Sequence, residues 1–384
     1  MAQSLLIDYQ QSGAFPRWGV MTEDSGIMMG DPAAGMIAGY YAFGARNFDV
    51  PAALAGLVRA ATDPAVAAPR TQTRQRDAMD DYLNLGFVPE NPAGGYGPVS
   101  MTLEYASADF AVAELARALG DDVTAARLLS QAQRWRNLYN PETGFIQMRR
   151  RDGSWSPGFV DDRSYHGEGA AKVRAYVEGS ASQYVWMVPF NYAGLAEMMG
   201  GREIALGRLD RFFEKLNAGY SKYAYLGNET CVQTPWIYNF YGQPWKTQRL
   251  VRRALTELYS SGPAAYPGND DVGSMSAWYI FASLGLYPEL PGSDILVLAS
   301  PLHPRAVLHL AGGDVTISAQ GGAADAPYVQ RLTVNGQGWT KPWLRFADLA
   351  QGGSLIFEVG SQPNFEWGAK ATDAPPSYDG RRVD

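Results

Sequence analysis

Carboxylates set among glycine, asparagine and aromatic residues are the groups in this sequence best suited to acid–base chemistry. Glu178 lies in Tyr176-Val177-Glu178-Gly179-Ser180, just ahead of a segment that reads as a helix, and is followed by Gln183, Tyr184 and Trp186. Asp270 and Asp271 lie in Pro267-Gly268-Asn269-Asp270-Asp271-Val272-Gly273-Ser274, between a glycine-bracketed loop and another expected helix. Gly227-Asn228-Glu229-Thr230 forms a third loop of this kind. Hydrolysing a glycoside without a covalent intermediate needs a carboxylic acid at the leaving oxygen and a carboxylate base on the opposite face. The two stand roughly 6.5–9.5 Å apart so that a water fits between them. Each motif alone also has an ordinary structural use: Glu178 as a helix-dipole partner or cap, and Asn269-Asp270-Asp271 as a turn leading into an N-cap. Asn228-Glu229 shares that ambiguity.

Composition narrows the chemistry further. The 384 residues, 46% hydrophobic, suffice for one large or two ordinary domains with a substantial core. No stretch approaches the ~20 apolar residues that span a bilayer, and Met1 to Ile7 carry no charged-then-apolar secretion signal, so the expectation is no membrane partner. The net charge of -7, with basic residues scattered, argues against nucleic acid and anionic membranes and suits a neutral substrate. The lone Cys231 excludes an internal disulfide and reads as a buried or pocket-lining thiol. His166, His303 and His309 are too widely spaced for zinc, so any metal would be held by carboxylate and amide oxygens, which favours calcium. Ten Trp and 22 Tyr, many in Gly-, Asn- and Asp-rich loops, offer the flat apolar faces with polar tips that sugar rings require.

The elements that must position these groups read as mainly α. Apolar spacing predicts helices over Leu103 to Leu119, from Asp121 or Asp122 to about Leu138, Ser180 to Met199, Glu203 to Leu216, Trp245 to Tyr259, and Ser274 to Leu284. Helices in pairs joined by long loops point to an α/α toroid whose loops line a cleft at one end. After Tyr287-Pro288 the pattern changes to short β-branched strands: Ile295 to Leu298, Ala306 to Leu310, Val315 to Ser318, Tyr328 to Val334 and Leu355 to Val359. Asn335-Gly336 reads as a hairpin turn. The expected division is a toroid over residues 1–290 and a small antiparallel, sandwich-like β-domain over 291–384, with Pro291-Gly292 at the boundary.

Taken in order, four motifs resemble glycoside hydrolase family 92: Tyr176 to Tyr184, Gly227-Asn228-Glu229, Gly242-Gln243-Pro244-Trp245-Lys246-Thr247-Gln248, and Asn269 to Trp278. Pro16-Arg17-Trp18, Gly30-Asp31-Pro32-Ala33, Thr102-Leu103-Glu104-Tyr105, Gly285-Leu286-Tyr287-Pro288 and Gly360 to Asn364 support it, so the resemblance covers nearly the whole chain. It implies a calcium-dependent, inverting exo-α-mannosidase acting on mannose-containing glycans in an extracellular or periplasmic setting. Carried over by position, it implies Glu178 as general acid and Asp271 as general base. Asp270 and Asn269 beside the base would place water and metal. Asn228 and Glu229 would contact the leaving-group sugar, and Arg17 the sugar released.

The match departs at Val188-Pro189-Phe190-Asn191 and at Thr230-Cys231-Val232-Gln233, where the family shows His-Asp and Pro-Ser-His-His. Those changes leave the linkage cleaved open. No counterpart of the family's leading β-sandwich is present, so the (α/α)6-type toroid that the resemblance implies is expected to be incomplete at its N-terminal end, and either another polypeptide supplies that part or the isolated chain is impaired. Two alternatives compete: a sugar-binding module without turnover, and another toroid glycosidase or a polysaccharide lyase with His166 as base.

Overall fold

The computed structural model describes residues 1–20, 23–92, 96–166, 173–321 and 325–379. Its helices are α1 (Ala2–Ser12), α2 (Pro32–Ala42), α3 (Val50–Thr62), α4 (Met79–Leu85), α5 (Pro98–Ala118), α6 (Asp122–Ala132), α7 (Ala181–Tyr184), α8 (Tyr192–Met198), α9 (Arg202–Phe212), α10 (Pro244–Glu257) and α11 (Ser274–Ser283). Two-residue hairpins interrupt them: β1 (Gly19–Val20) with β2 (Glu23–Asp24), β3 (Tyr139–Asn140) with β4 (Phe145–Ile146), and β5 (Tyr165–His166) with β6 (Val173–Arg174).

Helix α5 is the spine. Nearly every side chain along it is buried, and it packs against α2, α3 and α6. Its first residue is Pro98, whose fixed φ and missing N–H suit a helix start. Asp109 lies fully buried at mid-helix and is matched there. Arg76 donates to Asp109 Oδ1 (2.6 Å) and to Asp31 Oδ2 (2.9 Å), while Tyr82 donates to Asp109 Oδ2 (2.9 Å). Such a set stabilises only while complete, because a buried charge left alone costs far more than a pair gains. It joins the N-cap of α2 to α4 and α5 through side chains alone.

The helix after Asp121 forms as expected, with that carboxylate accepting from Thr124 N (3.0 Å), but passes into a 3-10 turn over Gln133–Leu138. The single helix expected over Ser180 to Met199 is two short ones. Pro189 lies between them, unable to donate a backbone hydrogen bond and hostile to a preceding helical turn. Asn191 then caps α8 by accepting from Gly194 N (2.9 Å). Helices α1 to α4 were not foreseen in the sequence.

Eight strands follow: β7 (Leu286–Tyr287), β8 (Ile295–Leu298), β9 (Arg305–Leu310), β10 (Gly313–Gln320), β11 (Tyr328–Val334), β12 (Gln337–Trp339), β13 (Trp343–Arg345) and β14 (Gly353–Gly360). They form a five-stranded sheet in the order β12-β11-β14-β10-β9 and a three-stranded sheet in the order β13-β8-β7. Asn335-Gly336 is the predicted hairpin turn: both residues have positive φ and Val334 faces Gln337. The larger sheet is not wholly antiparallel. Strand β14 enters between β10 and β11 after the chain has crossed through β13, and so pairs parallel with β10, Ile317 opposite Leu355.

The inner faces of the two sheets enclose one core, built from Leu296, Leu298, Leu344, Ile317 and Phe357 among others. Strand β8 is buried on both sides: Leu296 and Leu298 join that core, while Ile295 and Val297 join the helical one. Gly292, in the expected boundary, lies against α5, where a β-carbon would stand 2.7 Å from Ala111 Cα. The tail returns as well, Tyr378 packing at a tilt against Phe110 and donating its backbone N–H to Phe190 O (2.8 Å).

Candidate active site

Three loops converge, and each is fixed by contacts the sequence makes unavoidable. The first carries Glu178. Ser180 and Gln183 form a capping box at the start of α7, and Ser100 Oγ on α5 accepts from Val177 N (2.9 Å). Tyr184 donates its hydroxyl to Val177 O. Between these anchors Glu178 takes a left-handed φ of 55°, a conformation that non-glycine residues adopt only where surroundings enforce it. Asn228 Nδ2 donates to Glu178 O (2.9 Å), so the second loop holds the backbone of the first.

The second loop, Gly227 to Thr230, lies directly on the third, Pro267 to Gly273. A β-carbon at Gly227 would stand 2.5 Å from Pro267 O, an approach that only glycine permits. Asn217 stitches the pair: its Oδ1 accepts from Gly227 N (3.0 Å) and its Nδ2 donates to Pro267 O (2.8 Å). Beyond this seam Asp271, Val272 and Gly273 all have positive φ, which turns the chain sharply into α11. Asp270 Oδ1 accepts from both the backbone N–H and the hydroxyl of Ser276 (each 2.8 Å), closing the start of that helix.

The convergence frames an open cleft of about 310 Å³ lined by Glu104 and Glu229, both partly buried, and by Glu178 and Asp271, both exposed, with Trp18, Met28, Met29, Tyr184, Met187 and Val272 around them. Carboxylates in apolar walls compete for protons. Glu229 is held above its ordinary range first by burial, then by the Asp271 carboxylate within hydrogen-bonding reach and by the charge of Glu178. Burial alone raises Glu104 to about 7. Tyr184 is pushed up by burial and next by the charge of Glu104. An acid and a base that share one cavity, with a third carboxylate between them in charge, can protonate one face of a bound acetal and deprotonate water at another.

The sequence-based candidates therefore separate. Glu178, Asp271 and Glu229 face the cleft together. Asn228 is buried beneath it, holding Glu178 in place. Asp270 is partly buried with one carboxylate oxygen engaged by Ser276, and Asn269 is exposed; neither lines the cleft. Arg17 lines a neighbouring hollow that shares Met28 with the cleft, and pairs with Asp77 Oδ2 at 2.7 Å. His166 stands apart: among the described residues both of its buried ring nitrogens lack partners, the ring lies between Phe159 and Tyr176, and burial lowers its pKa to about 4. Cys231 is buried and does not line the cleft. Among the described residues no three His, Cys, Asp or Glu side chains form a metal cage.

Residues 1–361 match the model of the glycosyl hydrolase family 92 catalytic domain. The chain belongs to glycoside hydrolase family 92. Among solved members, the inverting mannosidase BT2199 of Bacteroides thetaiotaomicron VPI-5482 superposes with a TM-score of 0.88 at 31% identity, covering 98% of this chain and 52% of that one. The α-mannosidase BT3965 of Bacteroides thetaiotaomicron gives a TM-score of 0.88 at 29% identity, covering 98% and 48%, and has also been solved with mannoimidazole. An uncharacterized secreted glycosidase of Arthroderma benhamiae is 23% identical over 340 residues, 82% of this chain and 43% of that protein. This family 92 chain thus spans about half the length of the relatives it matches.

Glu104 is the cleft residue that the sequence reading passed over as a site. Its signal was a carboxylate at Leu103-Glu104-Tyr105, inside a helix that otherwise buries nearly everything it carries.

Proposed function

We propose that this chain carries the acid–base centre of an inverting, exo-acting α-mannosidase. The observation that carries the reading is that Glu178 and Asp271 line one cleft while Glu229 feels both charges. In this reading a water attacks the anomeric carbon as Asp271 takes its proton, the glycosidic bond breaks, and the leaving oxygen receives the proton of Glu178. Glu229 shapes the field between them. The volume of the cleft stands at the small end of the ~300–1,000 Å³ usual for small-molecule sites, which favours a single terminal sugar over an internal stretch of chain.

Calcium is part of the proposal. The oxygen donors of Asp270 and Asn269 suit a hard cation, the Asp270 carboxylate being already oriented by Ser276, with water and sugar hydroxyls to complete the shell. Neither residue lines the cleft, but both belong to the loop that carries Asp271, so a calcium held there would polarise water or sugar hydroxyls at the edge of the cleft beside that base. Arg17 is assigned to the edge of the released sugar through the shared Met28 wall. Asn228 and Glu229 are assigned to the leaving-group side.

We further infer that the helices form an (α/α) toroid over residues 1–290, with 291–384 as the accessory β-part. The successive pairs α5/α6, α8/α9 and α10/α11 support this. A mannose-containing glycan as substrate and an extracellular or periplasmic setting complete the reading.

The test is hydrolysis of aryl α-mannosides and of each α-mannosidic linkage, with and without a calcium chelator. The chain is assayed alone and joined to the segment that the relatives carry beyond the matched half. Release of β-mannose as the first product, observed by NMR and abolished by chelation, is expected. Release of α-mannose, or no hydrolysis in any arrangement, overturns it.

A further inference from the structure

Glu104 lies in the second turn of α5, partly buried, on a helix whose fully buried acid, Asp109, is matched by Arg76, Tyr82 and Gln131. Among the described residues nothing donates a hydrogen bond or a positive charge to Glu104, and burial is the sole influence on its proton affinity. Glu104 is partly buried and open to the cleft, so its carboxyl is left to accept hydrogen bonds from whatever occupies that space.

The surroundings keep it clear rather than capped. Gly30, at a φ of 96°, passes so close that a β-carbon there would meet Glu104 Oε2 at 3.2 Å, and the absence of that carbon leaves the carboxyl room. Glu104 opens into the same cleft as Glu178, with Tyr184 between their charges and Met28, Met29 and Met187 on the walls. Apolar walls set with carboxylates, one of them the Glu104 carboxyl on α5, are suited to a neutral ligand that brings its own donors. They are not suited to an anion, which the carboxylates would repel.

We propose that Glu104 is a sugar-binding residue of this cleft, accepting hydrogen bonds from ring hydroxyls of the terminal sugar through its α5-borne carboxyl. The inference rests on the mannosidase reading and extends it to a residue that takes no part in the proton transfers.

The experiment uses mannoimidazole and a set of aryl α-mannosides lacking one ring hydroxyl each, with the full 384-residue chain as wild type, Glu104→Gln and Glu104→Ala. Calorimetry is expected to show mannoimidazole binding weakened roughly tenfold or more by Glu104→Ala and less by Glu104→Gln. Removal of one particular hydroxyl should weaken wild type yet have no further effect on Glu104→Ala. That loss of coupling is what a merely structural residue would not produce. Wild-type affinity in both folded variants, or an equal penalty for every missing hydroxyl in wild type and variants, overturns the proposal. Should Glu104→Ala fail to fold, Glu104→Gln carries the same comparison. A wild-type chain that neither binds mannoimidazole nor hydrolyses any mannoside overturns this proposal and the mannosidase reading together, whereas binding untouched by Glu104 removes this one alone.

Discussion

Gly268 meets Gly227 backbone to backbone: a β-carbon at Gly268 would stand 2.0 Å from the Gly227 carbonyl oxygen. The loop that bears Asp271 is thereby seated on the loop that bears Glu229, and the distance between those two carboxylates follows from this seam. Gly268→Ala must push the loops apart. We expect kcat/KM on an aryl α-mannoside to fall by ~10²-fold, since a shift of about 1 Å in a reacting group suffices for that. A variant with wild-type kinetics would show that the seam does not set the geometry.

Asn217 is the side-chain half of the same seam, and its two hydrogen bonds run to different loops. Asn217→Ala should lower kcat with little change in KM and shift the basic or acidic limb of the pH–rate profile. Asn217→Asp, which keeps the acceptor for Gly227 N but faces Pro267 O with an oxygen, should rescue little. Each bond is worth about 1 kcal/mol, so the melting temperature should move by only a few degrees.

The two proposed proton carriers differ in what relieves their loss. Glu178→Gln should cost ~10²–10⁴-fold on substrates with poor leaving groups, and much less on a nitrophenyl mannoside, whose oxygen departs without a proton. Asp271→Asn should cost as much on both. Steady-state kinetics on a leaving-group series separates these outcomes, and equal sensitivity of the two variants to leaving group would reverse or cancel the assignment.

Glu289 gives a prediction for stability alone. It is buried, receives the Tyr192 hydroxyl on Oε1 at 2.6 Å, leaves Oε2 without a partner, and is held far above its ordinary range by burial. Its folded pKa therefore exceeds its unfolded one. The stabilisation is complete below about pH 4.3 and is lost as pH rises from there toward the folded pKa, because the unfolded chain gives up the proton first. Glu289→Gln, permanently neutral, should melt with a flatter dependence on pH over that window. An unchanged slope in scanning calorimetry would contradict it.

Breaking the Asp31–Arg76–Asp109 set should be costly. Asp109→Ala leaves Arg76 buried beside one acid instead of two and is expected to destabilise by about 3–5 kcal/mol in denaturant titration. Glu257, half of an exposed pair with Arg253, serves as the contrast, with less than about 1 kcal/mol at stake.

What could be read from the sequence was whatever local chemistry dictates. Asp121 as a cap, Asn335-Gly336 as a turn and α11 beginning at Ser274 all follow from a few adjacent residues. Glu178, Glu229 and Asp271 were singled out by loop context and motif order, and they face one cavity. Their being together was not legible, because Gly227 and Gly268 are 41 positions apart and nothing local announces that they touch. Asn228 and Asp270 were expected beside ligands; the structure engages them with Glu178 O and Ser276, uses to which any Asn or Asp in a loop can be put. Glu104 escaped notice for the opposite reason: a glutamate in a good helical pattern reads as surface, and only packing shows that it faces inward.

Strand β8 offers its odd-numbered side chains to the helices and its even-numbered ones to the sheets. A strand so placed is a party wall, and neither dwelling stands once it is removed. Cutting the gene at Pro291-Gly292 would leave each product with a raw apolar face instead of an independent module, so heating should unfold both regions in a single step.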